Sequence, residues 1–313
     1  MASVTARRRT ASGLVASVVS GCLFHAAYAA PPVSQPQTDL GQTSFLDGEA
    51  GPGGLFEVIG NGTTAGYFTD PSGRRLQGDN ELWTSSFTIH PAYVSGLPFI
   101  GGHLGGEALL PFAVIHQNIE GQPETTLGGV GDVTLTPLVQ WSGLYLFQRP
   151  LSVRLAVQLV TPTGAYASTR TTNIGQNAWQ LSPYFAFTWH TTERWEISGR
   201  LTYDWSSRND RPPSAYGAGS IQAGDQAEMN LSLSYAVEEH WRVGIASYAL
   251  RQLTDARIGG APVPGSPQQA FGIGPGMLWN FGGGSVIGTA YREFAAENRP
   301  EGFQFVLRLL KPF

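Results

Sequence analysis

From Trp179 to Trp189 the odd positions read Trp179, Leu181, Pro183, Phe185, Phe187, Trp189, while Gln180, Ser182, Tyr184, Ala186, Thr188 and His190 fill the even ones. After a short polar stretch the pattern resumes, with Trp195, Ile197, Gly199, Leu201, Tyr203 and Trp205 against Glu196, Ser198, Arg200, Thr202, Asp204 and Ser206. A period of two places one set on each face of a strand, so the pair predicts a hairpin with one apolar wall and one polar wall. Ten residues at about 3.3 Å each, tilted by about 40°, rise roughly 25 Å, the height of the apolar band on an outer-membrane barrel with aromatic girdles at both rims. The apolar wall is expected to face lipid.

The same alternation recurs in twelve segments, near 53–66, 82–95, 106–118, 130–142, 150–162, 177–190, 194–207, 226–238, 240–253, 269–281, 285–296 and 301–313. Connections alternate in length as well. Those at 191–194, 238–239 and 282–284 are tight, whereas 163–176, 208–225 and 255–267 are long, polar and rich in Gly, Pro, Asn and Asp. Short periplasmic turns and longer extracellular loops are the habit of outer-membrane barrels. The expected fold is therefore all-β: a closed antiparallel transmembrane barrel of about twelve strands with both termini in the periplasm. Trp141, Trp189, Trp195, Trp241 and Phe281, beside the short turns, and Trp179 and Trp205, at the other rim, form the expected lipid-facing girdle. The chain closes with Phe303, Phe305, Leu307, Leu309 and Phe313 in one phase, and its terminal phenylalanine resembles the signal by which such barrels are recognised for assembly.

Arg7, Arg8 and Arg9, the apolar run from Ala11 to Phe24 and Ala27-Tyr28-Ala29 have the layout of a secretory signal peptide over residues 1–29. A lipobox ending at Cys22 is the rival reading. Residues 30–52, rich in Pro, Gln, Ser and Gly, are expected to form a disordered periplasmic lead-in to a barrel over 53–313. Cleavage after Ala29 removes three arginines and no acid, moving the formal charge from −4 to −7, which gives no support to nucleic-acid binding. Only 13% of residues are charged, well under the quarter usual for soluble domains, as expected where much of the surface meets hydrocarbon.

A hairpin centred on 191–194 predicts Trp189 opposite Trp195, Phe185 opposite Gly199 and Tyr184 beside Arg200 on the inner face. Pro91, Pro137, Pro183 and Pro275 fall inside strands, and each must remove a ladder bond or mark a bulge. The polar phase nominates lumen-lining residues: Arg154, Gln158, Tyr184, Glu196, Arg200, Asp204, Glu228, Arg242, Gln252 and Arg308. These groups either pair with one another and rigidify the barrel or line a restricted solute path. Twelve strands leave a narrow or plugged lumen once long side chains fill it.

An outer-membrane lipid hydrolase would need a Ser and His in a recognisable arrangement, and His90, His103, His116, His190 and His240 are scattered without one. Gly272-Ile273-Gly274-Pro275-Gly276 runs into a strand and is not a nucleotide loop. No catalytic, cofactor-binding or metal-binding set is expected. A barrel with a purely structural or surface-interaction role is the other alternative.

Four segments carry a family resemblance: Gly128-Gly129-Val130-Gly131-Asp132-Val133-Thr134-Leu135-Thr136-Pro137, Ile174-Gly175-Gln176-Asn177-Ala178-Trp179, Leu250-Arg251-Gln252-Leu253-Thr254-Asp255, and Arg292-Glu293-Phe294 through Glu297-Asn298-Arg299-Pro300-Glu301-Gly302. Their order and spacing resemble the meta-pathway phenol degradation family of outer-membrane proteins, described as transporters of aromatic or other hydrophobic compounds. After Thr254-Asp255, where that family tends to show a second acid, this chain has Ala256. The resemblance implies passive uptake of a small hydrophobic or aromatic solute. Lipid, lipopolysaccharide and the barrel-assembly machinery are the other expected partners.

Overall fold

The computed structural model describes residues 35–120 and 123–313. The expected signal peptide and cleavage site, and Cys22, lie outside the described residues. Twelve staves make the wall: β1 (Gly53–Phe68), β2 (Glu81–Phe99), β3 (Gly102–Asn118), β4 in two pieces (Thr125–Val130 and Thr134–Leu146), β5 (Arg149–Val160), β6 (Gln180–His190), β7 (Trp195–Ser206), β8 (Gln226–Glu238), β9 (Trp241–Gln252), β10 (Gln269–Phe281), β11 (Gly284–Glu297) and β12 (Pro300–Pro312). Each pairs antiparallel with the next, and β1 pairs with both β2 and β12, so the sheet closes without an edge. Closure satisfies every ladder that an open sheet would leave exposed.

One end of the barrel carries the tight turns between β2 and β3, β4 and β5, β6 and β7, β8 and β9, and β10 and β11; the other carries the long loops. Two of those loops add a small three-stranded sheet from Ile221–Gln222, Arg257–Ile258 and Ala261–Pro262. The strand ends meet at the turn end, where the Gly54 amide donates to the Phe313 carbonyl at 3.0 Å.

The period of two is expressed as inside and outside. Along β6 and β7, Leu181, Phe185, Trp195, Leu201, Tyr203 and Trp205 are exposed, and Gln180, Ser182, Tyr184, Ala186, Thr188, Glu196, Arg200, Thr202 and Asp204 are buried. A wall with an apolar exterior and a hydrogen-bonded polar interior inverts the soluble arrangement. Trp179, Trp195, Trp205 and Phe281 are exposed; Trp141, Trp189 and Trp241 are half-buried against neighbouring strands.

The β6–β7 register differs from the expected one by two residues. His190 faces Glu196, Trp189 faces Ile197 and Phe187 faces Gly199. The reason lies in the turn: the Thr192 hydroxyl accepts from the Arg194 and Trp195 amides, so Trp195, though paired with Tyr235 on β8, closes the turn, and pairing with β6 begins at Glu196. Phe187 is thus the ring that covers Gly199, and a Cβ there would stand 2.7 Å from it.

The four prolines expected inside strands resolve the same way. Pro91, Pro137, Pro183 and Pro275 keep their pairing with one neighbour, opposite Phe56, Gly106, Val157 and Ile245, and interrupt the ladder on the other side. The register resumes unchanged beyond each gap, for example from Leu181 opposite Trp205 to Tyr184 opposite Thr202. Each proline therefore removes ladder bonds without a bulge.

Candidate functional site

Residues 35–52 do not lead in from outside the barrel; they thread it. The Gln35 carbonyl accepts from Gln176 Nε2 at the loop end, the Gln37 amide donates to Gln180 Oε1 (2.8 Å), the Gly41 amide donates to Asn230 Oδ1 (2.7 Å), the Gly48 amide donates to Thr188 Oγ1 (2.9 Å), and Glu49 pairs with His190 at the turn end. The described chain thus begins at the loop end and runs the length of the lumen before entering β1. The expectation of a disordered periplasmic lead-in fails for 35–52. A segment poor in apolar residues cannot order itself, but a lumen lined with buried donors and acceptors supplies partners for its backbone.

Two apolar side chains seat the segment. Leu40 packs with Ile59, Tyr248, Leu250, Tyr291 and Val306, and Phe45 with Leu278 and Ile287. Two glycines set how closely it lies. Gly41 has φ +69° and faces the Tyr291 and Tyr248 rings, while a Cβ on Gly48 would stand 2.3 Å from the Phe187 backbone. The Tyr291 hydroxyl donates to the Gly41 carbonyl (3.0 Å), and Gln304 Nε2 donates to Leu40 O (2.8 Å).

Charge closes the centre. Arg200 forks onto Asp47 (Nε–Oδ2 3.0 Å, Nη2–Oδ1 2.9 Å), reaches Asp39 Oδ2 with its Nη1 (3.0 Å), and lies 4.2 Å from the centroid of the Tyr184 ring. A planar guanidinium can serve two carboxylates and one aromatic face at once, which a lysine cannot. Arg154 holds Gln140 Oε1 (2.9 Å) and Glu107 Oε1 (3.2 Å); Gln140 Nε2 in turn donates to Gly48 O (2.8 Å). Arg308 and His90 Nδ1 both bond Glu57, at 2.5 and 2.7 Å, and His90 Nε2 lies 3.5 Å from Glu107. One network therefore runs along the inner wall from Arg308 on β12 through β1, β2 and β3 to Arg154 on β5, and the threaded segment joins it, through Gly48 and Asp47, to Arg200 on β7.

Eight of the ten nominated residues fall into three groups. Arg154, Tyr184, Arg200 and Arg308 share that central network. Asp204 and Glu228 sit higher, where Gln226 Nε2 donates to both (3.2 and 3.1 Å) and the Asp39 amide donates to Glu228 (3.2 Å). Glu196 and Arg242 lie at the turn end, joined through the Ser234 hydroxyl (2.6 and 2.9 Å). Gln158 faces the cavity described next, and Gln252 bonds the Thr254 carbonyl (2.8 Å) away from the threaded segment. Glu57, His90, Glu107, Gln140, Tyr291 and the whole threaded segment were absent from the nomination. For the first three the available signal was a polar residue between apolar neighbours in strands whose alternation is poor.

Between the threaded segment and the wall lies a cavity of about 690 Å³ that reaches the turn end at Gly53, Pro312 and Phe313. Apolar side chains (Leu55, Val94, Leu138, Leu278) share it with the guanidinium groups of Arg154, Arg200 and Arg308. Toward the loop end a strand break takes over. β4 stops at Gly131-Asp132-Val133, where the Asp132 carboxylate accepts the amides of Gly164 (2.7 Å) and Gln176 (2.8 Å). That holds the 161–179 connection against the wall, and Asn209 Nδ2, donating to Gln176 O (3.2 Å) and the Tyr166 hydroxyl (3.0 Å), ties in the 207–225 loop.

The model of the family described as "Putative MetA-pathway of phenol degradation" matches residues 65–309. The chain belongs to this family. No curated protein sequence matches it. Among solved structures it is similar to the COG4313 outer membrane channel from Pseudomonas putida F1, with a TM-score of 0.75 and 22% identity over 85% of this chain and 97% of that one. It is also similar to the transport unit of the autotransporter AIDA-I from Escherichia coli, with a TM-score of 0.52 and 12% identity over 85% and 91% of the two chains. The fold is that of an outer-membrane barrel, and this family member resides in the bacterial outer membrane. Among the described residues no helix is long and apolar enough to cross a membrane and no His, Cys, Asp and Glu cluster could hold a metal ion.

Proposed function

We propose that the protein is an outer-membrane channel for passive entry of small hydrophobic or aromatic compounds, closed at rest by its own residues 35–52. The observation that carries this reading is the threaded segment itself. It runs the length of the lumen and leaves beside it a cavity of mixed polarity open to the turn end. An amphipathic ring with one polar substituent suits such a cavity, where apolar side chains alternate around the wall with guanidinium groups paired to carboxylates. The name of the Pseudomonas relative, an outer membrane channel, and the phenol-degradation description of the family support the same class. In this reading the turn end faces the periplasm, the nominated lumen residues bind the segment first and the solute only when it shifts, the aromatic girdle contacts lipid, and Phe313 guides assembly.

Initial uptake of a labelled phenol at low concentration, by cells with an intact lipopolysaccharide leaflet, tests the proposal. Cells making the protein should accumulate phenol faster than cells lacking it, with no gain for a disaccharide. Equal phenol rates in cells with and without the protein would point to a structural or surface role.

A further inference from the structure

Two adjacent turns at the turn end are unlike the rest. β2 continues from Val94, which faces Gly53 at the start of β1, to Phe99; β4 continues from Gln140, which faces His103, to Leu146. On the opposite side β8 passes Tyr235, the partner of Trp195, only as far as Glu238, and β10 passes Trp279, the partner of Trp241, only to Phe281. The overhanging tips are apolar: Leu97, Ile100, Tyr145 and Phe147 are 65%, 76%, 72% and 82% exposed. The other tight turns are made of Thr191-Thr192-Glu193-Arg194, Glu238-Glu239-His240 and Gly282-Gly283.

The tips are also built at a cost. Ile100 and Phe147 have φ +46° and +49°, a left-handed conformation that hairpin turns usually assign to Asn or Gly and that a β-branched residue rarely adopts. Bulky apolar residues placed there, in the open, oppose both backbone preference and solubility, which points to a use for them. They are held firmly: Trp141 Nε1 donates to the Ile100 carbonyl (2.9 Å), Trp189 Nε1 donates to the Leu146 carbonyl (3.2 Å), and the Phe147 and Trp189 rings lie 6.1 Å apart.

We infer that these two tips form a lipid-embedded foot, inserted in the phospholipid headgroup layer of the leaflet at the turn end. Two features select lipid as the occupant. The tips continue the exposed apolar surface of β2–β5 through half-buried Trp141 and Trp189, with Ser142, Gln148 and Arg149 as the exposed polar residues of the second tip. Residues 93–106 and 141–151 contain no Asp or Glu and carry an exposed arginine, Arg149, as suits phosphate headgroups, whereas the opposite turns present Glu193, Glu238 and Glu239. The apolar band is therefore taller on this side, and a band of unequal height is accommodated by tilting the barrel toward it or by thickening the local bilayer.

The test places an environment-sensitive fluorophore on single cysteines, with Cys22→Ser removing the native thiol. Ile100→Cys and Tyr145→Cys report on the foot, and Glu239→Cys is the control on the opposite turn. In vesicles of phosphatidylethanolamine and phosphatidylglycerol, bromine-bearing lipid should quench the first two labels severalfold more than the third, with aqueous iodide in the reverse order, at every protein-to-lipid ratio. Equal access of iodide to all three overturns the assignment. Shielding that grows with protein density also overturns it, because the tips would then be a contact between copies. Should a labelled chain fail to fold, unlabelled Ile100→Asn/Phe147→Asn supplies a second readout. It relieves the turn backbone, and its intrinsic tyrosine and tryptophan emission should lose brominated-lipid quenching relative to wild type; unchanged quenching contradicts the foot.

Discussion

Arg200 is the residue on which closure of the lumen turns, because it pairs with two of the three acids of the threaded segment, Asp39 and Asp47, while the third, Glu49, pairs with His190. Removing one partner of a buried pair strands the other, at about 3–5 kcal/mol. Arg200→Met should therefore lower the thermal unfolding midpoint followed by the mobility shift of the unboiled protein on gels and raise the conductance of single channels in planar bilayers. An unchanged midpoint would remove Arg200 from its structural role. Gly48→Ala probes the same closure sterically. Its Cβ has 2.3 Å to the Phe187 backbone, so the segment must lift, and a protease added at the loop side should cut within 35–52 faster than in wild type. Arg200 was readable from the alternating pattern, which puts Arg on the inner face of β7. Its partners Asp39 and Asp47 were not, since they lie about 150 residues away in a stretch with no periodicity, and only the closed barrel brings them together.

At the scale of single elements, alternation fixed the staves well where the inner face is mostly polar. β5 to β8 match expectation to within a few residues because polar side chains predominate at their inward positions, with Ala156, Val160 and Ala186 as the buried apolar exceptions. β1 to β3 were harder to read for a physical reason. Ile59 and Val94 point inward, toward Leu40 and the cavity, so apolar residues occupy both phases and the period of two fades. The exact tip of the turn at 96–101 was likewise hidden, because Ile100 takes the left-handed position that Asn or Gly usually fills. Pro183 illustrates a local cost that sequence alone could state but not resolve. Pro183→Val should restore ladder pairing with β7 and raise stability by roughly 0.5–1.5 kcal/mol, read from the denaturant midpoint of the refolded barrel. The break at Asp132 works on a connection instead of a strand. Asp132→Ala deprives the Gly164 and Gln176 amides of their acceptor, and the 161–179 loop should become a site of rapid proteolysis while the strands keep their protection.

The whole molecule is a barrel whose interior is assembled from two distant parts of one chain. Membership of the family and the outer-membrane fold follow from the wall; the closed state follows from what the wall encloses. Polar residues on the inner face serve a double purpose. They satisfy one another across strands, as Glu57, His90 and Arg308 do, and they supply partners for backbone amides at Gly41 and Gly48 that would otherwise be buried unpaired. Removal of the segment should therefore leave a wetter but intact barrel, since the ladder contributes closure by itself. Single-channel conductance of a chain lacking residues 35–52, purified with its heat-resistant folded band, tests the account most directly. Conductance several times that of the full chain, with fewer closures, is the expected result. Currents indistinguishable from the full chain would contradict a lumen sealed by its own N-terminal segment.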